Sequence, residues 1–206
     1  FDNYDVTEVQ MINYKHDYPN LVAIDDLANR VFHVDMIINQ NLGSDQLEYK
    51  TINQPKFLLG EKYALLRKNI LKAQRKKNNN RIFMSFGGGE AYTRIKGLLG
   101  ILLLLDKELD VSITVDFVIS GKRDNKEQIR TSLGPCKKLK FNFIENQMDL
   151  FPYMTRADFA VTAAGSTVFE LACLGVPQIV LVIDKNQEIT GQKINEMGLG
   201  TCLGDI

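Results

Sequence analysis

Residues 81–92 read RIFMSFGGGEAY and place an apolar run directly before three glycines. An apolar run of this length, followed by glycines and then by helical periodicity, is typical of a parallel-sheet strand that turns into a helix. The same alternation continues along the chain. Predicted strands are Ile82–Phe86, Ile113–Ile119, Leu139–Ile144, Phe159–Ala163 and Gln178–Ile183. Helical patterns lie between them, at Tyr92–Leu105, Lys126–Leu133, Leu150–Thr155, Thr167–Leu174 and Gln187–Met197. The alternation predicts an α/β fold built on a parallel sheet.

The first 80 residues are less regular, although Leu21–Asp25 and Met36–Asn39 predict two further strands. Phe1 and Asp2 have the pattern of a strand already under way, so we expect the chain to begin inside its first domain. The basic, Asn-rich run from Arg75 to Arg81 lacks periodicity, and we interpret it as a solvated linker rather than a binding patch. The predicted divisions are residues 1–59, the carboxyl-terminal part of a first domain, a linker region 60–80, and a second domain 81–206.

Composition restricts the class of ligand. The 206 residues are 45% hydrophobic and 24% charged, and their formal net charge is zero. Nucleic acid is bound largely through excess positive charge, so this balance argues against a nucleic-acid partner. The three cysteines form neither a zinc pattern nor a disulfide framework, which favours a cytoplasmic location. The most apolar run, Leu98–Leu105, is far shorter than the ~20 residues that cross a bilayer, so it predicts a buried helix and no membrane span.

Two glycine-containing turns between strand and helix are candidate phosphate sites. Gly87, Gly88 and Gly89 follow one predicted strand, and glycines there let backbone amides approach an anion at a helix start. The alternative is a tight turn without a ligand. Gly165, Ser166 and Thr167 follow another strand, and their amides and hydroxyls suit an anion equally well, although the two hydroxyls can instead cap the helix. Two such turns in one domain favour a diphosphate ligand.

Other polar side chains near these turns suit a sugar or a ribose. Glu170 lies one helical turn beyond Ser166 and Thr167, where its carboxylate can accept from both ribose hydroxyls or can simply favour the helix start. Asn186 and Gln187 follow the strand Gln178–Ile183 and offer uncharged donors and acceptors for sugar hydroxyls, with helix capping as the alternative.

The remaining candidates are weaker. Asp25 and Asp26 end a strand and can bind a metal or a hydroxyl, but such pairs more often cap the following segment. His16 and His33 lack partner acids at metal-ligand spacing. We therefore expect neither a metal site nor a cofactor.

The segment AGSTVFELACLGVP from Ala164 to Pro177, followed by Asn186 and Gln187, resembles the nucleotide-binding half of GT-B glycosyltransferases. That fold has two Rossmann-like domains with parallel sheets, as in the peptidoglycan N-acetylglucosaminyltransferase, and here the first is expected to be only partly present. Four further segments are similar to the UDP-sugar hydrolase of pseudaminic acid biosynthesis and its spore-coat polysaccharide relatives. They are FDNY at Phe1–Tyr4, DDLANR at Asp25–Arg30, NQN at Asn39–Asn41 and LLGEKYALLR at Leu58–Arg67.

The resemblance implies an enzyme that releases UDP from a UDP-diacetamido-trideoxy-hexose by attack of water at the anomeric carbon. It implies that the diphosphate is held by Gly87, Gly88, Gly165, Ser166 and Thr167. It also implies that Glu170 binds the ribose and that Met148 or its neighbours line the uracil pocket. Tyr4 and Asn186 would face the reacting sugar, with Gln187 nearby.

The chain departs from this family at its start, because nothing matches the family's Gly-x-Gly-His segment, whose histidine positions the attacking water. An amino-terminal segment or a partner is therefore expected to complete the active site, and we expect these 206 residues alone to be nearly inactive. Glu90 also stands where a small hydroxylated or Asp-type residue is expected. Two alternatives share every motif above, namely a GT-B glycosyltransferase and a non-catalytic nucleotide-sugar-binding module.

Overall fold

The structure is a computed structural model that describes residues 1–75, 80–87, 91–120 and 123–205. It divides into two compact units, Phe1–Leu65 and Leu66–Ile206. The division falls inside the predicted linker region 60–80. No helix in the described part of the chain combines the length and the hydrophobicity needed to cross a membrane.

The first unit is built on short parallel strands. Its elements are α1 (Glu8–Asp17), β1 (Val22–Ile24), β2 (Val31–Phe32), β3 (Met36–Asn39), β4 (Lys50–Thr51) and β5 (Lys56–Leu59). The strands pair in parallel in the orders β1-β3-β5 and β2-β4. The sequence predicted β1 and β3 but not α1, because Met11 is the one buried residue of that helix and gives it almost no apolar periodicity. A capping box between Thr7 and Gln10 starts the helix instead.

The second unit follows the predicted alternation of strands and helices. Its strands are β6 (Arg81–Ser85), β7 (Ile113–Val118), β8 (Leu139–Ile144), β9 (Phe159–Ala163), β10 (Gln178–Val182) and β11 (Thr201–Asp205). Its helices are α2 (Ala91–Glu108), α3 (Arg123–Leu133), α4 (Phe151–Met154), α5 (Thr167–Cys173) and α6 (Glu188–Glu196). All six strands are parallel, in the order β11-β10-β9-β6-β7-β8. The five predicted strands are confirmed to within one residue at each end, whereas β11, which is mostly exposed, was missed.

Apolar side chains from both faces of this sheet are buried. One cluster joins the sheet to α2 and α3 through Leu99, Phe117 and Ile129, and another contains Phe83 and Leu171. The prediction that Leu98–Leu105 is a buried helix is wrong for one side of α2, where Ile101 and Leu104 are 60% and 63% exposed.

The polar run before β6 also differs from expectation. Arg75, predicted to lie in a solvated linker, is half-buried and donates to the backbone carbonyls of Ala157, Asp158 and Gly175. Ile70, a few residues earlier, is buried in the second cluster. Residues 76–79 of the run lie outside the described residues. The segment from Leu66 to Arg75 is therefore part of the second unit.

The most deeply buried charge in the second unit is Asp116 of β7, which is fully buried. Its carboxylate accepts from Arg81, from both Nε and Nη2 of Arg156 and from the side-chain amide of Asn142, at 2.7–3.1 Å. Four hydrogen bonds fill the acceptor sites of a carboxylate. The network ties β6, β7 and β8 to the segment that follows α4.

Asp116→Ala is expected to lower the free energy of unfolding by about 3–5 kcal/mol, because it leaves two guanidinium groups without their shared counter-ion. Urea unfolding followed by circular dichroism measures the change. Asp110→Ala, at an exposed position after α2, is the control and should change the value by less than about 0.5 kcal/mol. A similarly small effect for Asp116→Ala would contradict this account.

Candidate functional site

The strand order of the second unit reverses beside β6. The chain moves from β6 to β7 and β8 on one side, and then places β9, β10 and β11 on the other. β6 and β9 are direct neighbours, with Ser85 opposite Thr162. In open parallel sheets such a reversal leaves a crevice at the carboxyl ends of the two strands, and ligands bind there. The candidate loops that begin at Gly87 and Gly165 leave these two strands.

Gly87 is the described residue of the first glycine turn. Its φ is +78°, a left-handed conformation that side chains disfavour, and an added Cβ would meet nothing within 4 Å. Its carbonyl accepts from the Ser120 hydroxyl at 2.5 Å, so the loop after β7 fixes the loop after β6. Gly88 and Glu90 lie outside the described residues. Gly87 therefore has the backbone freedom and the location that the phosphate hypothesis requires.

Gly165, Ser166 and Thr167 form the turn after β9. The Gly165 amide donates to Ala163, and Ser166 is the exposed residue that precedes α5. The Ser166 side chain makes no capping hydrogen bond, so the structure does not support the capping role that was the alternative. Its hydroxyl is left at the crevice, and Thr167 is the first residue of α5.

Glu170 lies on α5 and is 7% exposed. Its Oε1 lies 3.1 Å from Nε of Arg67, which also donates from Nη1 to Asp149 at 3.3 Å. Burial raises the pKa of Glu170, the Arg67 guanidinium opposes the rise, and the negative charge of Asp149 adds to it. A buried carboxylate whose pKa is raised in this way is a candidate functional group.

Met148 lies next to Asp149 and is 94% exposed. The structure therefore gives Met148 no packing role, and its assignment to a uracil pocket stays a prediction. Its neighbour Asp149 brings this segment to Arg67 and so to the Glu170 carboxylate.

The loop after β10 is held in place by two side chains. Gln187 accepts the Ile183 amide at 3.1 Å, so part of this side chain is used in fixing the turn. Arg94, from the first turns of α2, donates to the Ile183 carbonyl and lies 2.5 Å from Asp184. Asn186 is exposed in the same turn.

Sequence reasoning missed Arg94 and Arg67. Arg94 links the helix after β6 to the end of β10, the strand on the far side of β9. Its guanidinium lies at the carboxyl end of β10, where the Asp184 carboxylate offsets its charge. The signal for Arg94 was a cation one turn into the helix that follows the glycines. Arg67 had no such signal, because nothing in the sequence before β6 indicates that this segment contacts α5.

The first unit contains the other predicted sugar-facing residue, Tyr4. Partial burial of its hydroxyl, a hydrogen bond with Asp26 and the nearby carboxylates of Asp2, Asp25 and Asp26 raise the pKa of Tyr4 to about 12. The phenol is therefore protonated near neutral pH and can act as a hydrogen-bond donor but not as a base.

The aspartates and histidines of the first unit have local partners. Asp25 accepts the amides of Leu27 and Ala28, which is the capping role weighed against metal binding. His33 lies 2.8 Å from Glu8, and His16 lies 3.2 Å from Asp17. Within the described ranges, no three side chains of the metal-binding types come together as a ligand group.

The buried Glu170 carboxylate should cost stability at neutral pH. Because its pKa is raised in the folded protein, the folded state resists ionisation more than the unfolded state, so stability falls as pH rises from the usual range of glutamate towards the folded pKa. Glu170→Gln removes this cost. We expect the variant to exceed the wild type in free energy of unfolding at pH 7 and to lose that advantage near pH 4.

Urea unfolding at the two pH values measures the difference. Glu108→Gln, exposed at the end of α2, is the matched control and should leave stability unchanged at both. A Glu170→Gln variant less stable than the wild type at pH 7 would show that the ion pair with Arg67 outweighs the cost of burial.

Comparison with known proteins gives distant relatives. No protein-family model matches the chain. The chain is 25% identical over 175 residues to the spore coat polysaccharide biosynthesis protein SpsG of Bacillus subtilis, covering 82% of the chain and 50% of SpsG. It is 24% identical over 215 residues to the uncharacterized protein MJ1062 of Methanocaldococcus jannaschii, covering 87% of the chain and 43% of that protein. The chain thus spans about half the length of these relatives.

Among solved structures, that of Acinetobacter baumannii MurG matches with a TM-score of 0.55 at 12% identity, covering 95% of this chain and 56% of MurG. At this identity the likeness concerns the fold. Together with the parallel sheets of both units, it confirms the α/β, GT-B-like fold predicted from the sequence.

Proposed function

We propose that this chain is the nucleotide-sugar-binding part of an enzyme that hydrolyses a UDP-sugar, releasing UDP by attack of water at the anomeric carbon. The observation that carries the proposal is the meeting of two glycine turns at the strand-order reversal, with the buried carboxylate of Glu170 on the helix after the second turn. The similarity to SpsG, a spore coat polysaccharide biosynthesis protein, favours a sugar nucleotide among diphosphate ligands.

The diphosphate is assigned to the crevice between the turns. Gly87 and Gly165 allow backbone amides to approach it, and the Ser166 and Thr167 hydroxyls supply further donors. Gly88 is assigned on sequence grounds alone. Arg94 is paired with Asp184, so we assign it to fixing the loop after β10 beside the crevice.

The nucleoside and the sugar take the neighbouring positions. Glu170 accepts from the ribose hydroxyls, and Met148 contributes to the uracil pocket. Asn186 and Gln187 face the sugar from the loop after β10. On sequence grounds alone, Tyr4 is assigned to the reacting sugar; its phenol donates to Asp26, so the phenol oxygen is what it offers, as an acceptor.

The reaction does not require the protein to supply a general acid. UDP is a stable anion and leaves without a general acid, unlike the alcohol of an ordinary glycoside. Backbone amides and the Ser166 and Thr167 hydroxyls stabilise the charge that develops on the departing diphosphate. A base must still take a proton from the attacking water. Neither Tyr4 nor Asn186 is a base near neutral pH, so we assign both to orienting the sugar.

Transfer to an acceptor hydroxyl is the second candidate, and the fold match to MurG favours it as much as hydrolysis. The two reactions use the same donor site and differ in the group that attacks the anomeric carbon. The identity of the sugar, the diacetamido-trideoxy-hexose of pseudaminic acid biosynthesis, is proposed from the sequence resemblance. A third candidate is a module that binds the nucleotide sugar without converting it, and experiment must distinguish it from the two enzymes.

Glu170→Gln is expected to weaken UDP binding by about 1–3 kcal/mol, because the neutral amide is a poorer acceptor for the ribose hydroxyls than the carboxylate. Isothermal titration calorimetry with UDP measures the change, with Glu108→Gln as the control of equal charge change. Unchanged UDP affinity in a folded Glu170→Gln protein would overturn the ribose assignment.

The full-length protein, incubated with UDP-diacetamido-trideoxy-hexose, should give UDP and free sugar in equal amounts. Mass spectrometry and anion-exchange chromatography identify both products. Free sugar without any acceptor supports hydrolysis. Release of UDP only when an acceptor is added, with a conjugated sugar as product, supports transfer instead. Binding without any UDP release would reduce the proposal to a binding module.

A further inference from the structure

Three charged side chains are linked in series at the proposed ribose position. Glu170 on α5 faces Arg67 at 3.1 Å, and Arg67 donates to Asp149 at 3.3 Å. Asp149 is itself fixed, because its Oδ1 accepts the Phe151 amide at 3.0 Å at the start of α4. Glu170, Arg67, Asp149 and Phe151 all belong to the second unit. Arg67 therefore connects the helix that carries Glu170 to the segment that carries Met148.

We propose that Arg67 is a positioning residue for the nucleotide, and that it orients the Glu170 carboxylate so that the ribose hydroxyls are recognised. The proposal rests on the proposed function, since it assigns Glu170 to ribose. Arg67 acts through Glu170 and needs no contact with the ligand.

The geometry favours this role because a buried carboxylate needs a fixed partner. The Glu170 side chain is 9% exposed, so it has little water to compensate its charge. Among the described residues, Arg67 is the partner that the structure gives it, and it faces one oxygen, Oε1. A carboxylate has about four acceptor sites. One ion pair therefore leaves acceptors for two neighbouring hydroxyls.

Arg67 also maintains the charge that hydroxyl recognition requires. An ionised carboxylate only accepts hydrogen bonds, whereas a protonated one also donates. Ribose hydroxyls that donate to Glu170 need the ionised form. Burial favours the neutral form of Glu170 and the guanidinium opposes it. Loss of Arg67 would therefore affect both the direction and the charge of the acceptor.

Arg67 has a simpler alternative role, which is to anchor the segment before β6. Arg75 does this in the same segment, through the backbone carbonyls of Ala157, Asp158 and Gly175, and its described hydrogen bonds do not involve the Glu170 carboxylate. Arg75 is thus a matched control. An anchor stabilises the fold, whereas a positioning residue changes the recognition of one part of the ligand.

The test uses the full-length protein and two ligands, UDP and 2′-deoxy-UDP, which differ by one ribose hydroxyl. Calorimetry gives both dissociation constants for the wild type and for Arg67→Gln, Arg67→Lys and Arg75→Gln, and thermal unfolding reports stability. We expect Arg67→Gln to bind UDP about tenfold more weakly, the effect of losing one hydrogen bond to a charged group. We expect its affinity for 2′-deoxy-UDP to fall much less, so that the preference for UDP largely disappears.

The controls separate the two roles. Arg75→Gln should lower the unfolding temperature and keep the wild-type preference for UDP. Arg67→Lys retains the charge without the planar fork, so it should fold and still lose part of the preference. Adding Arg67→Gln to Glu170→Gln should cost little further UDP affinity, because the group that Arg67 positions is already changed.

Two different failures can be told apart. A wild-type protein that does not bind UDP overturns the proposed function and this inference with it. A wild type that prefers UDP over 2′-deoxy-UDP, with the same preference in Arg67→Gln and Arg67→Lys, overturns this inference and leaves the proposed function standing. Equal weakening of both ligands in the two Arg67 variants would likewise assign Arg67 to anchoring alone.

Discussion

The reversal of strand order between β6 and β9 is the constraint on which the candidate site depends. Parallel strands joined by right-handed crossovers can extend a sheet in either direction, and here the chain uses both, starting from β6. Because the helices that follow β6 and β9 diverge from this point, the loops between strand and helix are left facing an open crevice. Gly87 and Ser166 lie in those loops, and Arg94 of α2 contacts the loop after β10.

Asp116 and Glu170, two buried carboxylates of the second unit, differ in how many hydrogen-bond donors compensate their negative charge. Asp116 is fully buried and accepts four hydrogen bonds from two arginines and an asparagine, so its acceptor sites are filled. Glu170 is nearly as buried but faces one arginine. The first carboxylate contributes to the fold and has no capacity for a ligand. The second faces one arginine among the described residues, so acceptor sites remain on it; we propose that they bind a ligand and that the stability lost through its burial is the cost.

Several polar residues of the first unit form hydrogen bonds within that unit. Asn39 is buried and donates to the Tyr49 hydroxyl at 3.0 Å, which in turn donates to the Asp25 carbonyl at 3.1 Å. Burial raises the pKa of Tyr49 to about 12, so the hydroxyl stays a donor. The Gln40 side chain accepts the Leu65 amide. These contacts give structural roles to residues of three segments that carry the resemblance, NQN, DDLANR and LLGEKYALLR, whereas Tyr4 stays exposed.

The sequence by itself determined the strands and helices of the second unit, because each buried strand is a short apolar run and each turn carries glycine or small polar residues. It also located Gly87 and Ser166 in loops that follow strands, and Glu170 on the helix after the second loop, since these positions depend only on order along the chain. It could not predict α1 or β11, whose few buried residues leave no periodic pattern. Nor could it show that Arg67 reaches Glu170, that Arg94 reaches Asp184, or that Ser166 leaves its helix uncapped. These are contacts between residues far apart in sequence, or choices between partners of equal local propensity, and only the packing of α2, α5 and the segment before β6 around one sheet decides them.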